Sequence, residues 1–520
     1  MKACFWCRFS SNILRNFLAA FFLSAVSFSA YADSLISIKP DTLTSTPEDD
    51  TNKSESTAQS LNLDLQALYG QYNSMYSAVN LAQEQRNFVY LLSSSFKRSN
   101  DYGYGEDIFV NSSYFENKIS FTGNLNVTPF MKTILDVSID SDSHGMFSNP
   151  DFSREEKERL DLSLKNIHKI SPKFEVFYAF GGAYYSHQLS GKSMDDVRTR
   201  FSRYNGETGW EYIWSSSNRL RAKASYTKYH YSIGDQDDYY FARGEIIDDF
   251  YITNNFAFLI GLNFAYHKNF GILGLEDMRK TDLGNDIPII PIGGISLKGI
   301  KYFSASLEYR YDMAEFKPEE YYFPQKYLYP AYYLIPSRVH RISIDSDFTV
   351  VDRFSLRFAG VVKKSDNYAN YKQVSFSSDE ASLLTAETVK ADTIDIISEA
   401  NLVLVKDSFD ISASYTKFLF DSDKNITYKP SNDIKVSAKY YGSYFNITWI
   451  NRFVGSRYVD PEEEEKIKSF VLGSLSVQYK ASKSVFADLL IENLYNRKYY
   501  LRKGYPESGV TALFGLRVLI

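Results

Sequence analysis

The chain has 520 residues, a formal net charge of −5 at pH 7 and an aromatic content of 16%, with 42 Tyr and 39 Phe. That charge balance gives no electrostatic reason for a nucleic-acid partner. Beyond Ala32 no run of about eighteen apolar residues offers a helical membrane span, and both cysteines, Cys4 and Cys7, lie before that point, so no disulfide framework is expected.

Lys2, Arg8 and Arg15 form a basic start, Asn16 to Phe28 is mostly apolar, and Ala30-Tyr31-Ala32 gives a small-x-small cleavage site. This predicts a secretory signal peptide over residues 1–32. Residues 33–60 are rich in Ser, Thr, Asp and Glu with two prolines, a composition expected to be disordered. Leu65, Leu68, Tyr72, Tyr76 and Val79 then fall at helical spacing, which predicts one amphipathic helix over residues 61–86.

From Asn87 to the end the beat changes to two. Ile119, Phe121, Gly123, Leu125 and Val127 interleave with Ser120, Thr122, Asn124 and Asn126; Ile434, Val436, Ala438 and Tyr440 interleave with Lys435, Ser437 and Lys439. Alternation of this kind marks strands with one apolar and one polar face. It suits either a soluble sandwich or a membrane barrel.

The connections decide between them. Very short turns, such as Val127 to Phe130, Ser171-Pro172, Val351 to Arg353 and Gly442-Ser443, alternate with long polar loops. The expected loops are Asp142 to Glu158, Asn269 to Asp286, Asp312 to Ser337 and Ser365 to Ala391. Short turns at one rim and long loops at the other predict a transmembrane antiparallel β-barrel over residues 87–520. Nine tight turns give about 20 strands, or 22 if one hairpin is missed. The helix over 61–86 would then be periplasmic or lodged in the lumen. The last strand, with Phe514, Leu516, Val518 and Ile520 on one face, is expected to close the barrel on the first.

Candidate sites follow from the barrel. Glu319 to Tyr333 is an aromatic outer loop in which Tyr321, Tyr322, Phe323, Lys326, Tyr327 and Tyr329 could bind a small solute by stacking. An aromatic girdle at the lipid interface would use the same residue types. Arg219, Arg221, Lys223, Lys435, Lys439 and Arg452 are expected to face the lumen, either biasing it toward anions or pairing with wall acids. Asp140, Asp142 and His144 share one strand face, but period two produces such neighbours in any polar wall, so no metal site is assigned. No Ser/His/Asp order, glycine-rich phosphate loop or cysteine site stands out; neither an enzyme nor a cofactor is expected.

The C-terminal seventy residues are more specific. Arg452 to Asp460, then Asn493, Leu494, Tyr495, Asn496 and Tyr499, then Gly504-Tyr505-Pro506, resemble the C-terminal barrel region of TonB-dependent receptors. The resemblance implies an outer-membrane barrel of a diderm bacterium, inserted by the barrel-assembly machinery and surrounded by outer-membrane lipid. It implies passage or binding of a small solute; the alternative is a surface scaffold or adhesin presenting long loops. That family carries a glycine-rich N-terminal plug, and no such pattern precedes the barrel here. A lumen this wide needs narrowing by residues 33–86, by infolded loops, or by a separate plug or periplasmic partner.

Overall fold

The computed structural model describes residues 60–85, 87–104, 107–147, 149–215, 218–231, 238–253, 255–268, 289–314, 326–329, 337–351, 353–374 and 383–520. The expected signal peptide, the segment up to residue 59, and Tyr321, Tyr322 and Phe323 lie outside them.

Twenty-two strands form one antiparallel sheet closed on itself. The first, Ser60–Gly70, pairs with the last, Thr511–Leu519, with Asp64 opposite Leu519 and Gly70 opposite Leu513. Closure removes the unpaired edge that a strand cannot expose to hydrocarbon. Among the described residues no helix is long and apolar enough to cross a membrane.

Period two sorts the side chains. On Phe152–Ser171, Leu160, Leu162 and Leu164 point outward and exposed, while Asp161 lies on the opposite, lumen face. Outward Phe514 and Leu516 do the same on the last strand. Above Leu160 the outward positions become Arg154, Glu156 and Glu158, so the lipid belt ends there and the strand continues into water. About ten tilted residues suffice to span. The strands Phe354–Val374 and Leu383–Val405, of 21 and 23 residues, therefore project well beyond the belt.

Two expectations need correction. Residues 61–86 are not a helix: Ser60–Gly70 and Met75–Gln85 are two strands joined by a tight turn at Gln71–Asn73, with Tyr72 and Asn73 at φ 55° and 52°. The helical spacing arose because Leu65, Leu68, Tyr72, Tyr76 and Val79 straddle a turn and mix both faces of a hairpin. The alternation was present as Leu61, Leu63, Leu65, Ala67 and Tyr69 against Asn62, Asp64 and Gln66. This hairpin raises twenty strands to twenty-two.

Much of the expected loops Asp142 to Glu158 and Ser365 to Ala391 is also strand. Above the lipid an outward position has no need to be apolar, so the beat fades while hydrogen-bonded pairing continues. The tight turn expected at Ser171-Pro172 lies between Ser171 and Phe174, with another at Gln85 to Phe88. Longer connections run Ser99 to Tyr114 and Glu492 to Thr511, and the expected loop Asn269 to Asp286 and most of Asp312 to Ser337 lie outside the described residues.

Candidate functional site: the lumen beneath the outer loops

The lumen wall is lined with charges because its face of each strand is the polar one. Arg219 pairs with Glu211 at 3.3 Å, Arg221 with Asp249 at 2.9 Å, Lys223 with Glu207 at 2.8 Å, and Arg452 with Asp433 at 2.5 Å. Lys439 stands opposite Asp410 in register. These basic residues therefore do not form a continuous positive strip; most are matched by acids on neighbouring strands. Lys435 and Arg452 reach the cavity described below, whereas Arg219, Arg221, Lys223 and Lys439 lie elsewhere on the wall.

At the outer end the loops turn inward and pack. Met146, Phe152, Leu189, Tyr327, Leu383 and Tyr505 form one buried cluster, with Tyr329 packed against it. Tyr185, Phe201, Tyr229, Tyr239, Phe241 and Leu328 belong to another. The segment Lys326–Tyr329 runs between them. Leu328 pairs in parallel with Leu384; Tyr329 N–H donates to the Leu384 carbonyl at 2.7 Å and Leu384 N–H to the Tyr327 carbonyl at 3.0 Å. The Tyr327 ring lies flat on Tyr505, centroids 3.7 Å apart and planes 9° from parallel.

One carboxylate holds this segment. Glu155 accepts the Tyr327 N–H at 2.5 Å and the Leu328 N–H at 3.1 Å. Tyr327 has φ 59°, so its N–H and the next converge on an anion as in a backbone nest. Glu155 also accepts the Lys157 ammonium at 2.8 Å and His187 Nε2 at 3.0 Å, and all three side chains are essentially without solvent contact. Burial alone would raise the Glu155 carboxyl, but Lys157, with the hydrogen bonds from His187 and Lys157, outweighs it and holds the group below the usual carboxylate range. Burial likewise pushes His187 below its ordinary value. We refer to this arrangement as the latch.

Beneath it lies a cavity of about 710 Å³. Its walls include Lys97, Tyr114, Glu116 and His144 on one side, Lys435, Arg452 and Asp433 on another, and Glu492, Tyr499 and Glu507 from the final loop. Lys326 and Tyr327, expected in the aromatic outer loop, close it from above. Tyr329 is in the adjoining cluster instead.

The C-terminal motif shapes that final loop. Asn493 and Asn496 take φ 49° and 47°, and Gly504 φ 80°, the left-handed region where Asn and Gly are at least cost. Asn493 Nδ2 donates to the carbonyls of Arg497 at 2.8 Å and Ser508 at 2.9 Å, and its Oδ1 accepts the Arg497 N–H at 2.9 Å. Asn496 Oδ1 accepts the Val510 N–H at 3.0 Å. Tyr495 hydrogen-bonds Asn451 on the neighbouring wall, the Leu494 N–H donates to the Gly473 carbonyl at 2.8 Å, and Tyr499 packs on Phe470. Pro506 is buried beside Tyr505. The loop thus delivers Tyr505 to the ring of Tyr327.

Sequence reasoning missed Glu155, Lys157, His187 and Tyr505 as site residues. The signal for Glu155 and Lys157 was the charge run Arg154 to Arg159, whose odd members face inward once the segment is read as strand.

Similarity in structure decides the fold family. The structure aligns with the copper transporter OprC at a TM-score of 0.67 and 12% identity, covering 90% of this chain and 82% of that one. It aligns with the FrpB iron transporter of Neisseria meningitidis at 0.68 and 10%, covering 89% and 83%. This is the fold of the TonB-dependent receptors. The siderophore receptor PirA of Acinetobacter baumannii gives 0.65 and 11%, covering 90% and 81%. No family model and no curated protein matches the sequence. These TonB-dependent-receptor neighbours are named as transporters and receptors, and at such identities the likeness shows the fold alone.

Proposed function

We propose that the chain is an outer-membrane receptor-type barrel of a diderm bacterium that binds a small polar solute beneath its outer loops and passes it inward. The observation that carries this reading is the cavity of about 710 Å³, within the size range of small-molecule sites. Its walls offer phenols for stacking and charges of both signs, which suits a polar or zwitterionic solute better than bulk ion flow. Lys326 and Tyr327 contact the solute directly in this reading. Tyr321, Tyr322 and Phe323, in the same aromatic stretch of sequence, are further solute contacts in this reading, and Tyr329 packs against the cluster that backs Tyr327. The wall cations Arg219, Arg221, Lys223, Lys435, Lys439 and Arg452, with their acids, line the path.

In this reading infolded loops narrow the lumen at its outer end. The latch sets whether the outer loops stay closed. Residues 1–32 are removed before insertion by the assembly machinery in this reading, and a separate periplasmic protein is the inner partner. The alternative is a surface scaffold. It draws support from the hairpin Phe354–Val374 and Leu383–Val405, which stands beyond the lipid belt.

Conductance in planar bilayers separates these readings. The wild-type chain is expected to stay closed or to open briefly, and Glu155→Ala to open in larger and longer steps. Large steady steps from the wild type would remove the loop-closed receptor reading in favour of an open pore. Silence from both proteins would favour the scaffold.

A further inference from the structure

Beside the latch, the lumen wall carries a second cluster whose chemistry the solute reading leaves unused. Glu116 stands opposite Asp142 across neighbouring strands, and His144 follows on the same face of the second strand. One ligand atom from each residue lies within 4.8 Å of the other two. His144 is 3% exposed. Its Nε2 abuts Asp142 Oδ1, yet among the described residues neither buried atom has a hydrogen-bond partner. A buried imidazole nitrogen against a buried carboxylate oxygen is satisfied by a shared cation, a proton or a metal ion, and Glu116 beside them offers a third ligand.

We propose that Glu116, Asp142 and His144 bind a divalent transition-metal ion of the zinc class. Three protein ligands leave a fourth position open to the cavity. One imidazole with two carboxylates suits a borderline ion; calcium and magnesium favour more oxygens, and Cu(I) favours sulfur. The site lies on strands Tyr114–Thr128 and Met131–Gly145, above the level at which Ile139 meets Leu160 and the outward apolar belt ends. It is reached through the lumen rather than through lipid.

The site has a built-in competitor. The Lys326 ammonium is 3.7 Å from Glu116 Oε1. An ammonium and a metal ion repel one another, so metal at Glu116 displaces Lys326. The next residue, Tyr327, is held independently by Glu155. Metal binding thus loosens one of two holds on the segment that covers the cavity.

The test uses the full chain in detergent micelles, stripped with a chelator and titrated with Zn²⁺ by calorimetry, and with Co²⁺ by visible absorbance. One ion per chain is expected in the wild type. His144→Ala should weaken binding by about tenfold or more, as loss of one of three ligands predicts. Lys326→Met should tighten it severalfold, a direction that misfolding does not produce. No saturable Zn²⁺ binding by the wild type, or undiminished binding by His144→Ala, overturns the site. Unchanged or weaker binding by Lys326→Met overturns the competition. Neither readout depends on solute passage, so failure here and failure of the transport reading are distinguishable.

Discussion

The lumen wall and the latch use the same residue types to opposite effect. On the wall, Arg357 sits among Asp345, Asp347 and Glu399 with its side chain 48% exposed to lumen water. Water screens such pairs and they contribute little individually. In the latch, Glu155, Lys157 and His187 are sealed under the outer loops, where an ion pair is costly to form and much more costly to break. The wall can lose a charge and keep its shape, because backbone pairing fixes it. The latch cannot, because its carboxylate is what holds two backbone N–H groups of the covering segment.

The sharpest way to break that contrast is Glu155→Ala. It removes the carboxylate that Lys157 and His187 share and frees the N–H groups of Tyr327 and Leu328, at a cost of about 3–5 kcal/mol. Hydrogen exchange should rise sharply at 326–329 while the barrel strands stay protected; unchanged protection there would show that the latch is passive. Tyr505→Ala removes the flat stack on Tyr327 from a buried cluster and should cost about 3 kcal/mol. Limited proteolysis should then cut near Lys326 while the folded barrel keeps its heat-modifiable gel migration.

Acidity gives a milder probe. The folded latch holds His187 below its ordinary value, so the neutral form is favoured there while an unfolded chain protonates near pH 6.5. Stability from this source is full above about pH 6.5 and falls as pH drops below it. Glu155, held low, adds a second loss only when pH falls beneath the ordinary Glu value of about 4.3. Protection at 326–329, taken relative to the intrinsic exchange rate at each pH, should therefore be lower at pH 5 than at pH 8; a tighter segment at pH 5 would contradict the assignment. Smallest of all, Arg357→Ala should change thermal stability by less than about 1 kcal/mol. A loss as large as that of Glu155→Ala would erase the distinction between wall and latch.

The barrel was legible because lipid imposes a strict rule: outward positions must be apolar wherever hydrocarbon lies. Leu160, Leu162 and Leu164 obey it. The rule lapses above the belt, and so did the reading there, which is why the outer parts of four strands were taken for loop. The hairpin at Ser60–Gln85 was lost for a different reason: a periodicity counted across a turn blends two faces. Of the site, Lys326 and Tyr327 were legible as an unusual aromatic loop near a cation. Glu155 was not, since a buried carboxylate inside a charge run looks like its solvated neighbours until strand parity is known. The Asn493 to Pro506 motif was recognised as a pattern, but its work, setting the path of the loop that carries Tyr505, depends on backbone angles.

The seam between Ser60–Gly70 and Thr511–Leu519 has a consequence for how the molecule is made. Sliding one strand past the other by two residues would keep every apolar side chain toward lipid, so greasiness alone cannot choose the register. The polar contacts on the inner face can. Arg517 grips Asp64 with two hydrogen bonds at 2.7 and 2.8 Å, and Gln66 donates to Asp488 at 2.8 Å. Asp64 and Arg517 are 453 positions apart along the chain. Closure must therefore await both ends, and these inner-face contacts then proofread its register.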